Sequence, residues 1–179
     1  MVTWEWLDYY ALRSYLYPVY LSIPLHFLRF LKIDSNFLVV NSILFMNSLL
    51  QVLGDYFLYW LSHDLIGHEG AIITLGFSVV NRRINEIYSK TFTNGVEAIF
   101  CVIAMYYYNR LTSKFDRSMV FMTMSITIAF IVRSSSIIGW IPLALSHIMQ
   151  SPVHFQSVVT SGLAITVPVL ALSVLNDSI

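Results

Sequence analysis

Charge is scarce in this sequence. Only 11% of its 179 residues are Asp, Glu, Lys or Arg, and the ten basic residues cancel the ten acidic ones. A chain without a basic field does not gather nucleic acid, so we expect no nucleic-acid partner. Its hydrophobic fraction of 57% and its mean hydropathy of +0.69 are too high for an ordinary soluble domain of this length. Lipid is therefore the expected solvent.

Cysteine is nearly absent as well. The one cysteine, Cys101, lies in an apolar run, which excludes an internal disulfide and indicates a small buried hydrophobe. The five histidines show no ligand spacing with carboxylates or with Cys101, apart from His63 and His68 in one predicted loop. We therefore expect no bound metal. The N-terminus lacks the basic patch and apolar core of a signal peptide, so we expect no cleaved leader.

Long apolar stretches make up most of the chain. A helix that crosses the hydrocarbon core takes about 20 apolar residues, because each backbone polar group must find its partner inside the segment. Residues 37–61 and 153–175 are the clearest candidates. Residues 118–149 are long enough for two segments, which we divide at Arg133 and the three serines that follow it. Residues 95–109 are apolar apart from Glu97 and could be completed on either side, and the two weaker candidates are residues 15–31 and 70–88.

Short polar joints separate these segments, at residues 32–35, 62–70 and 110–117. Connections this short make neighbouring helices pack side by side. The sequence therefore predicts an all-α fold, a polytopic membrane helical bundle of about five to seven membrane segments. We expect one transmembrane domain over residues 1–179. Lys and Arg are scattered over several joints, so the positive-inside rule gives no orientation.

Asp55 falls inside a candidate segment. A charge at the centre of a membrane helix costs about 2.5 to 3.5 kcal/mol unless it has a partner or a wet cavity. Two interpretations stay open. Asp55 is either such an intramembrane charge, or it lies within a turn of a membrane surface, where Tyr56, Tyr59 and Trp60 form an aromatic belt.

Glu97 and Arg133 are two more charged residues in apolar segments, and each has more than one interpretation. Glu97 follows Thr93 and Asn94 in a pattern typical of a helix start with an acid in its first turn, so it is either a helix-capping acid or a functional group. Arg133 has apolar flanks. Three interpretations stay open: Arg133 binds a phosphate, pairs with a carboxylate, or lies at the solvated ends of two helices.

The N-terminal residues 3–18 concentrate aromatic side chains, acids and an arginine immediately before an apolar run. Trp and Tyr favour headgroup depth, so one interpretation is an interfacial anchor. The other is a sugar and phosphate site, in which aromatic faces stack on sugar rings and Arg13 meets an anionic group with its planar guanidinium.

Three segments in one order resemble a known family. They are Thr-Trp-Glu-Trp at residues 3–6 with Leu-Arg-Ser-Tyr-Leu-Tyr-Pro at 12–18, Lys-Thr-Phe-Thr-Asn-Gly-Val-Glu at 90–97, and Arg133 followed by Gly-Trp-Ile-Pro-Leu at 139–143. In order and spacing, the chain is similar to the dolichyl-phosphate-mannose-dependent mannosyltransferases of the endoplasmic reticulum. The similarity is strongest to the branch that adds the third mannose of the glycosylphosphatidylinositol (GPI) core.

The resemblance implies a multi-pass GT-C type enzyme of the endoplasmic-reticulum membrane. Such an enzyme transfers mannose from dolichyl-phosphate-mannose, its donor substrate, to a GPI glycolipid acceptor in alpha-1,2 linkage, without a separate cofactor. Its inverting chemistry needs a carboxylate base and cationic help for the departing phosphate. The family's base is expected in an acidic His-Pro-Asp-Glu type motif upstream of residues 3–6, so we assign no catalytic residue and expect an incomplete portion of a larger enzyme.

The resemblance implies six substrate-binding residues, all of which lie within these three segments. They are Glu5, Arg13, Tyr15, Asn94, Glu97 and Arg133.

Two rival functions stay open at this point. One is a related mannosyltransferase of lipid-linked oligosaccharide assembly, which differs only in its acceptor. The other is a non-catalytic membrane subunit or small transporter, in which Asp55, Glu97 and Arg133 form a helix-packing network.

Overall fold

The computed structural model describes residues 16–33, 35–81, 86, 93–111, 117–150 and 166–168. The regular elements in these ranges are helices, so the all-α prediction is confirmed for them. Residues 1–15 and most of the predicted segment 153–175 lie outside the described residues. The helices are α1 (Leu16–Phe30), α2 (Asn36–Val80), α3 (Thr93–Asn109), α4 (Arg117–Val132) and α5 (Ile137–Gln150), with a 3-10 turn (Ser134–Ser136) before α5.

Helix α2 folds into a hairpin at Gly67. This residue has a φ of 82° and a ψ of 179°, a left-handed φ that glycine adopts without the clash of a Cβ. An unbroken helix would place Asp55 and Ser78 about 35 Å apart at its usual rise per residue. Instead, the Ser78 hydroxyl donates to Asp55 Oδ1 at 2.6 Å. Residues 68–80, the returning arm, therefore run back along residues 36–66, the outgoing arm.

The turn between α1 and α2 lies in the predicted joint at residues 32–35. Lys32 has a positive φ of 56°, and the Ser35 hydroxyl caps α2 by accepting from the backbone N–H of Leu38 at 3.3 Å. The two helices then pack antiparallel. The Tyr17 hydroxyl donates to Asn47 Oδ1 at 3.0 Å, and that of Tyr20 donates to the carbonyl of Met46 at 2.9 Å.

Helices α3 and α4 form a second antiparallel pair, joined through residues 110–117 as predicted. The rings of Tyr107 and Phe121 stack at 5.2 Å across it. Helix α3 also runs close to the outgoing arm of α2. A Cβ built on Gly54 would lie 2.9 Å from Cγ1 of Ile99, so the absence of a side chain at Gly54 permits this approach.

The predicted division of residues 118–149 is confirmed at Arg133. Helix α4 ends at Val132, Arg133 has an extended backbone with φ −154° and ψ 111°, and α5 begins after the 3-10 turn. The backbone N–H of Arg133 still donates to the carbonyl of Ala129 at 2.9 Å, so the hydrogen-bond ladder of α4 is complete up to the break.

The surface of the described part is largely apolar. Phe30, Phe77 and Val80 are 83%, 72% and 81% exposed. One helix in the described ranges, α2, is both long and apolar enough to cross a membrane, and only 6% of its most apolar stretch is buried. A helix in the core of a soluble protein would be mostly buried, whereas this one is largely exposed. Its length, composition and exposure fit a membrane helix.

Candidate functional site

The first residues of α3 and the break after α4 bring Glu97 and Arg133 together. Arg133 Nη1 donates to Glu97 Oε2 at 3.2 Å, and the two side chains are 43% and 16% exposed. Arg133 therefore pairs with a carboxylate and lies between the ends of two helices, as two of its three interpretations expected, and its binding of a phosphate stays a prediction. The first turn of α3 holds no acid, because Glu97 lies one turn further on, so the first-turn interpretation of Glu97 is wrong.

Two hydroxyl groups close in sequence to this pair are buried. Thr93 precedes Glu97 by one turn of α3, and Ser136 follows Arg133 in the 3-10 turn, where its backbone N–H donates to the Arg133 carbonyl at 3.1 Å. The hydroxyls of Thr93 and Ser136 have no hydrogen-bond partner in the described part of the chain. Burying a hydroxyl without a partner is unfavourable, so both groups add a local cost to this part of the fold.

Of the other four predicted site residues, the structure describes one. Asn94 lies between Thr93 and Glu97 in sequence, and its side chain is exposed. Glu5, Arg13 and Tyr15 lie outside the described residues, so their role stays a prediction.

An apolar cavity of about 390 Å³ lies between α1, α2, α3 and α4. Val96 and Val132, the residues immediately before Glu97 and Arg133, form part of its wall and are buried with Tyr17 in one cluster. The two charged residues thus directly follow wall residues in the sequence, although neither Glu97 nor Arg133 is among the residues that line the cavity. A polar pair beside an apolar cavity suits a ligand with a charged group and a hydrocarbon part.

Asp55 lies in a separate, smaller cavity of about 100 Å³ between the two arms of α2 and α3. Its Oδ1 accepts the hydroxyl proton of Ser78, and Gln51 and Gly54 also line the cavity. Asp55 therefore bonds within the α2 hairpin, whereas Glu97 bonds Arg133 in the break after α4. The proposed three-residue packing network is divided into two separate polar contacts.

Replacing Ser78 with alanine is expected to lower the free energy of unfolding by about 1.5 to 3 kcal/mol, the usual worth of a hydrogen bond to a charged group. The measurement is reversible denaturation of the purified protein in mixed micelles. Ser48→Ala is the matched control, because the Ser48 hydroxyl bonds only the carbonyl of Leu44 in its own helix. Equal losses in the two variants would show that the Asp55–Ser78 contact does not hold the hairpin.

A second ion pair lies at the other end of α3. Arg110 donates through Nε and Nη2 to the two carboxylate oxygens of Asp64, at 2.7 and 3.1 Å. This hydrogen bonding raises the pKa of the Arg110 guanidinium above its ordinary value. The guanidinium also lies 4.5 Å from the ring centroid of Tyr106. Bidentate geometry and the aromatic face make this pair a fixed structural contact.

Aromatic rings surround the same end of the bundle. Tyr59 bonds His68 across the hairpin at 3.1 Å, and the Tyr59 and Trp60 rings lie 5.6 Å apart. Together with Tyr56, these rings match the cluster expected near Asp55, and a position in a membrane interface stays a prediction. In the described ranges, no three His, Cys, Asp or Glu residues are grouped to hold a metal ion.

The Asp64–Arg110 pair was missed by sequence reasoning, although a signal was present. Residues 37–61, 70–88 and 95–109 alternate in direction if each crosses the bundle. The joints that contain Asp64 and Arg110 then lie on one side, and their opposite charges predict an ion pair.

Comparison with known proteins places the chain in a family. All of residues 1–179 match the Alg9-like mannosyltransferase family. The chain is 29% identical over 178 residues to "GPI alpha-1,2-mannosyltransferase 3" of Homo sapiens, covering 99% of this chain and 32% of that protein. It is 24% identical to "Mannosyltransferase APTG1" of Arabidopsis thaliana, covering 98% of this chain and 32% of the relative. For "GPI mannosyltransferase 3" of Candida albicans, the identity is 26% and the coverages are 94% and 34%.

The chain thus spans about a third of the length of the curated relatives it matches. No solved structure matches it. The match extends over the α3 start and the Arg133 break, which hold the ion pair described above. This chain belongs to the Alg9-like mannosyltransferase family.

Proposed function

We propose that this chain carries substrate-binding elements of a mannosyltransferase that transfers mannose from dolichyl-phosphate-mannose to a GPI-anchor precursor in alpha-1,2 linkage. The structural observation that carries this proposal is the Glu97–Arg133 pair at the break between α4 and α5, beside an apolar cavity. The names of the relatives favour a GPI acceptor over a lipid-linked oligosaccharide. The donor supplies the activated sugar, so we propose no separate cofactor.

Arg133 has the chemistry that the leaving group needs. As the acceptor hydroxyl attacks the anomeric carbon, the carbon–oxygen bond to the phosphate breaks and negative charge grows on the phosphate oxygens. A guanidinium placed in advance stabilises that charge through several N–H donors. The Arg133 side chain is 43% exposed and forms a single hydrogen bond with Glu97, so it is accessible to a substrate.

Glu97 takes a positioning role in this proposal, because it accepts a hydrogen bond from the Arg133 guanidinium. Asn94 is exposed on the first turn of the same helix and is proposed to contact sugar hydroxyls. Glu5, Arg13 and Tyr15 are proposed to line the same cavity on the strength of the matched segments. The catalytic base stays unassigned.

The membrane arrangement belongs to the same proposal. We infer a multi-pass protein of the endoplasmic-reticulum membrane with about five to seven segments. The two arms of α2 and the antiparallel pair of α3 and α4 support a count above one, because short joints place these helices side by side.

Complementation tests the function. Cells that lack the third GPI mannosyltransferase receive either this chain or a version extended at both ends along its genomic locus, and surface GPI anchors are measured. Restoration by the extended version alone supports the proposal. Restoration by the short chain also supports it and makes Glu5, Asp55 and Glu97 the candidate bases. Restoration by neither contradicts the GPI acceptor, and parallel cells that lack a mannosyltransferase of lipid-linked oligosaccharide assembly then test the alternative acceptor.

A further inference from the structure

Asp55 lies within an apolar helix and has no basic partner in the described part of the chain. Its carboxylate accepts the hydroxyl proton of Ser78 at 2.6 Å, and a hydroxyl brings no positive charge. Glu97, by contrast, is paired with Arg133. A carboxylate without a counter-charge is unfavourable inside an apolar bundle, so Asp55 requires a positive charge or water beside it.

The small cavity beside Asp55 leaves room for such a charge. It has a volume of about 100 Å³ and lies between the two arms of α2 and α3. Gly54, Ser78 and Ile99 line it and are buried, so most of its wall is inside the bundle. One water molecule needs roughly 10 to 15 Å³ of such space. An ion with several water molecules therefore fits.

The polar groups that line this cavity carry oxygen. Asp55 contributes its carboxylate, Ser78 its hydroxyl and Gln51 its amide. Because Ser78 donates its proton to Asp55, the lone pairs of its hydroxyl oxygen remain available to a cation. Among the described residues, the lining includes no histidine or cysteine, which are ligands of transition metals, whereas hard cations take oxygen ligands. The histidine spacing in the sequence therefore does not bear on this site.

The number of carboxylates indicates the charge of the ion. The described lining offers one carboxylate, from Asp55, together with two neutral oxygen-bearing side chains. One positive charge balances it. A divalent ion would leave a surplus positive charge in the same apolar surroundings, which is as unfavourable as the bare carboxylate.

We propose that this cavity binds a small monovalent cation, Na⁺ or K⁺, between Asp55 and Ser78. Asp55 belongs to the outgoing arm of α2 and Ser78 to the returning arm, so the ion joins the two arms beneath α3. This site is separate from the Glu97–Arg133 pair. The inference goes beyond the proposed function and does not depend on it.

Radioactive Na⁺ is the direct probe of this site. The purified protein in nanodiscs is incubated with it in choline chloride, and bound ion is measured by scintillation proximity. Saturable binding is expected, with displacement by unlabelled NaCl or KCl, and the salt that displaces at the lower concentration identifies the preferred ion. Choline chloride is not expected to displace the probe. Displacement by CaCl₂ at lower concentration than by either alkali salt overturns the monovalent assignment.

Two variants locate the bound ion. Asp55→Asn keeps the shape of the side chain and removes its charge, and it is expected to weaken binding at least about tenfold. Ser78→Ala leaves the charge in place and removes one oxygen ligand, so it is expected to weaken binding by a smaller factor. Glu69→Gln is the matched control, because it removes an acid at an exposed position of the same hairpin and keeps full binding.

Thermal unfolding gives a second readout, because an ion that binds only the folded state stabilises it. Replacing choline chloride with NaCl or KCl at equal ionic strength is expected to raise the Tm of the wild type by about 2 to 4 °C. The Tm of Asp55→Asn is expected to stay unchanged. This comparison is made within each variant, so a general loss of stability does not obscure it.

Absence of saturable binding to the folded wild type, or equal binding to folded Asp55→Asn, overturns the inference. Either result would mean that water or another part of the chain compensates the carboxylate. Neither readout uses mannosyl transfer. Failure of complementation therefore contradicts the proposed function alone, and failure of ion binding contradicts this inference alone.

Discussion

Replacing Arg133 with glutamate is expected to reduce mannosyl transfer by at least about a hundredfold, the usual cost of removing one preorganised donor from a transition state. The substitution places a second carboxylate beside Glu97, which now lies 3.2 Å from Arg133 Nη1, and it repels the phosphate of the donor. The measurement is transfer from dolichyl-phosphate-mannose in microsomes of complemented cells, normalised to the amount of folded protein.

Three variants separate catalysis from packing. Arg133→Lys keeps the charge without the planar guanidinium and is expected to fall between wild type and Arg133→Glu. The double variant Glu97→Arg with Arg133→Glu restores an ion pair in the reverse order. Full activity in this double variant would show that the pair serves packing alone. Arg110→Gln, which breaks the ion pair at the other end of α3, is expected to retain transfer per folded molecule.

Replacing Gly54 with leucine is expected to lower the free energy of unfolding by about 2 to 3 kcal/mol, as for other overpacked contacts. Even a Cβ at this position would lie 2.9 Å from Ile99 Cγ1, so a leucine pushes α3 away from the outgoing arm of α2. The measurement is denaturation in mixed micelles, with protease resistance of the folded fraction as a second readout.

Another glycine offers a matched control for Gly54. A Cβ built on Gly76 meets nothing within 4 Å, so Gly76→Leu is expected to be close to neutral. A smaller partner should also relieve the clash, and Gly54→Ala is therefore expected to be better tolerated together with Ile99→Ala than alone. Equal losses for Gly54→Leu and Gly76→Leu would contradict a close approach of the two helices.

The positions where helices end could be predicted better than the positions where the chain turns back on itself. The three serines after Arg133 and the unusual length of residues 118–149 predicted the break there, because one span cannot use that length. The joint at residues 62–70 was also predicted, but not that His63 and Asp64 would stay helical and that the turn would come at Gly67. Polarity shows where a chain leaves an apolar region, whereas a positive φ decides where it turns.

Pairing of charges could be predicted only in part. Three ionisable groups in apolar segments required partners, and Glu97 and Arg133 supply each other's. The sequence did not reveal that Asp55 would bond Ser78, because serine is common in membrane helices and carries no charge to match. The apolar cavity was equally hidden, since its lining residues come from four helices and have no shared pattern along the chain.

The hairpin at Gly67 has a consequence for where the rest of the chain begins. The returning arm brings Ser78 to within 2.6 Å of Asp55, so the chain leaves α2 alongside the outgoing arm. A straight 45-residue helix, about 68 Å long, would instead carry Val80 far beyond Asp55. The backbone freedom of a single glycine thereby keeps the start of α3 within reach of the outgoing arm, where Gly54 lets Ile99 approach.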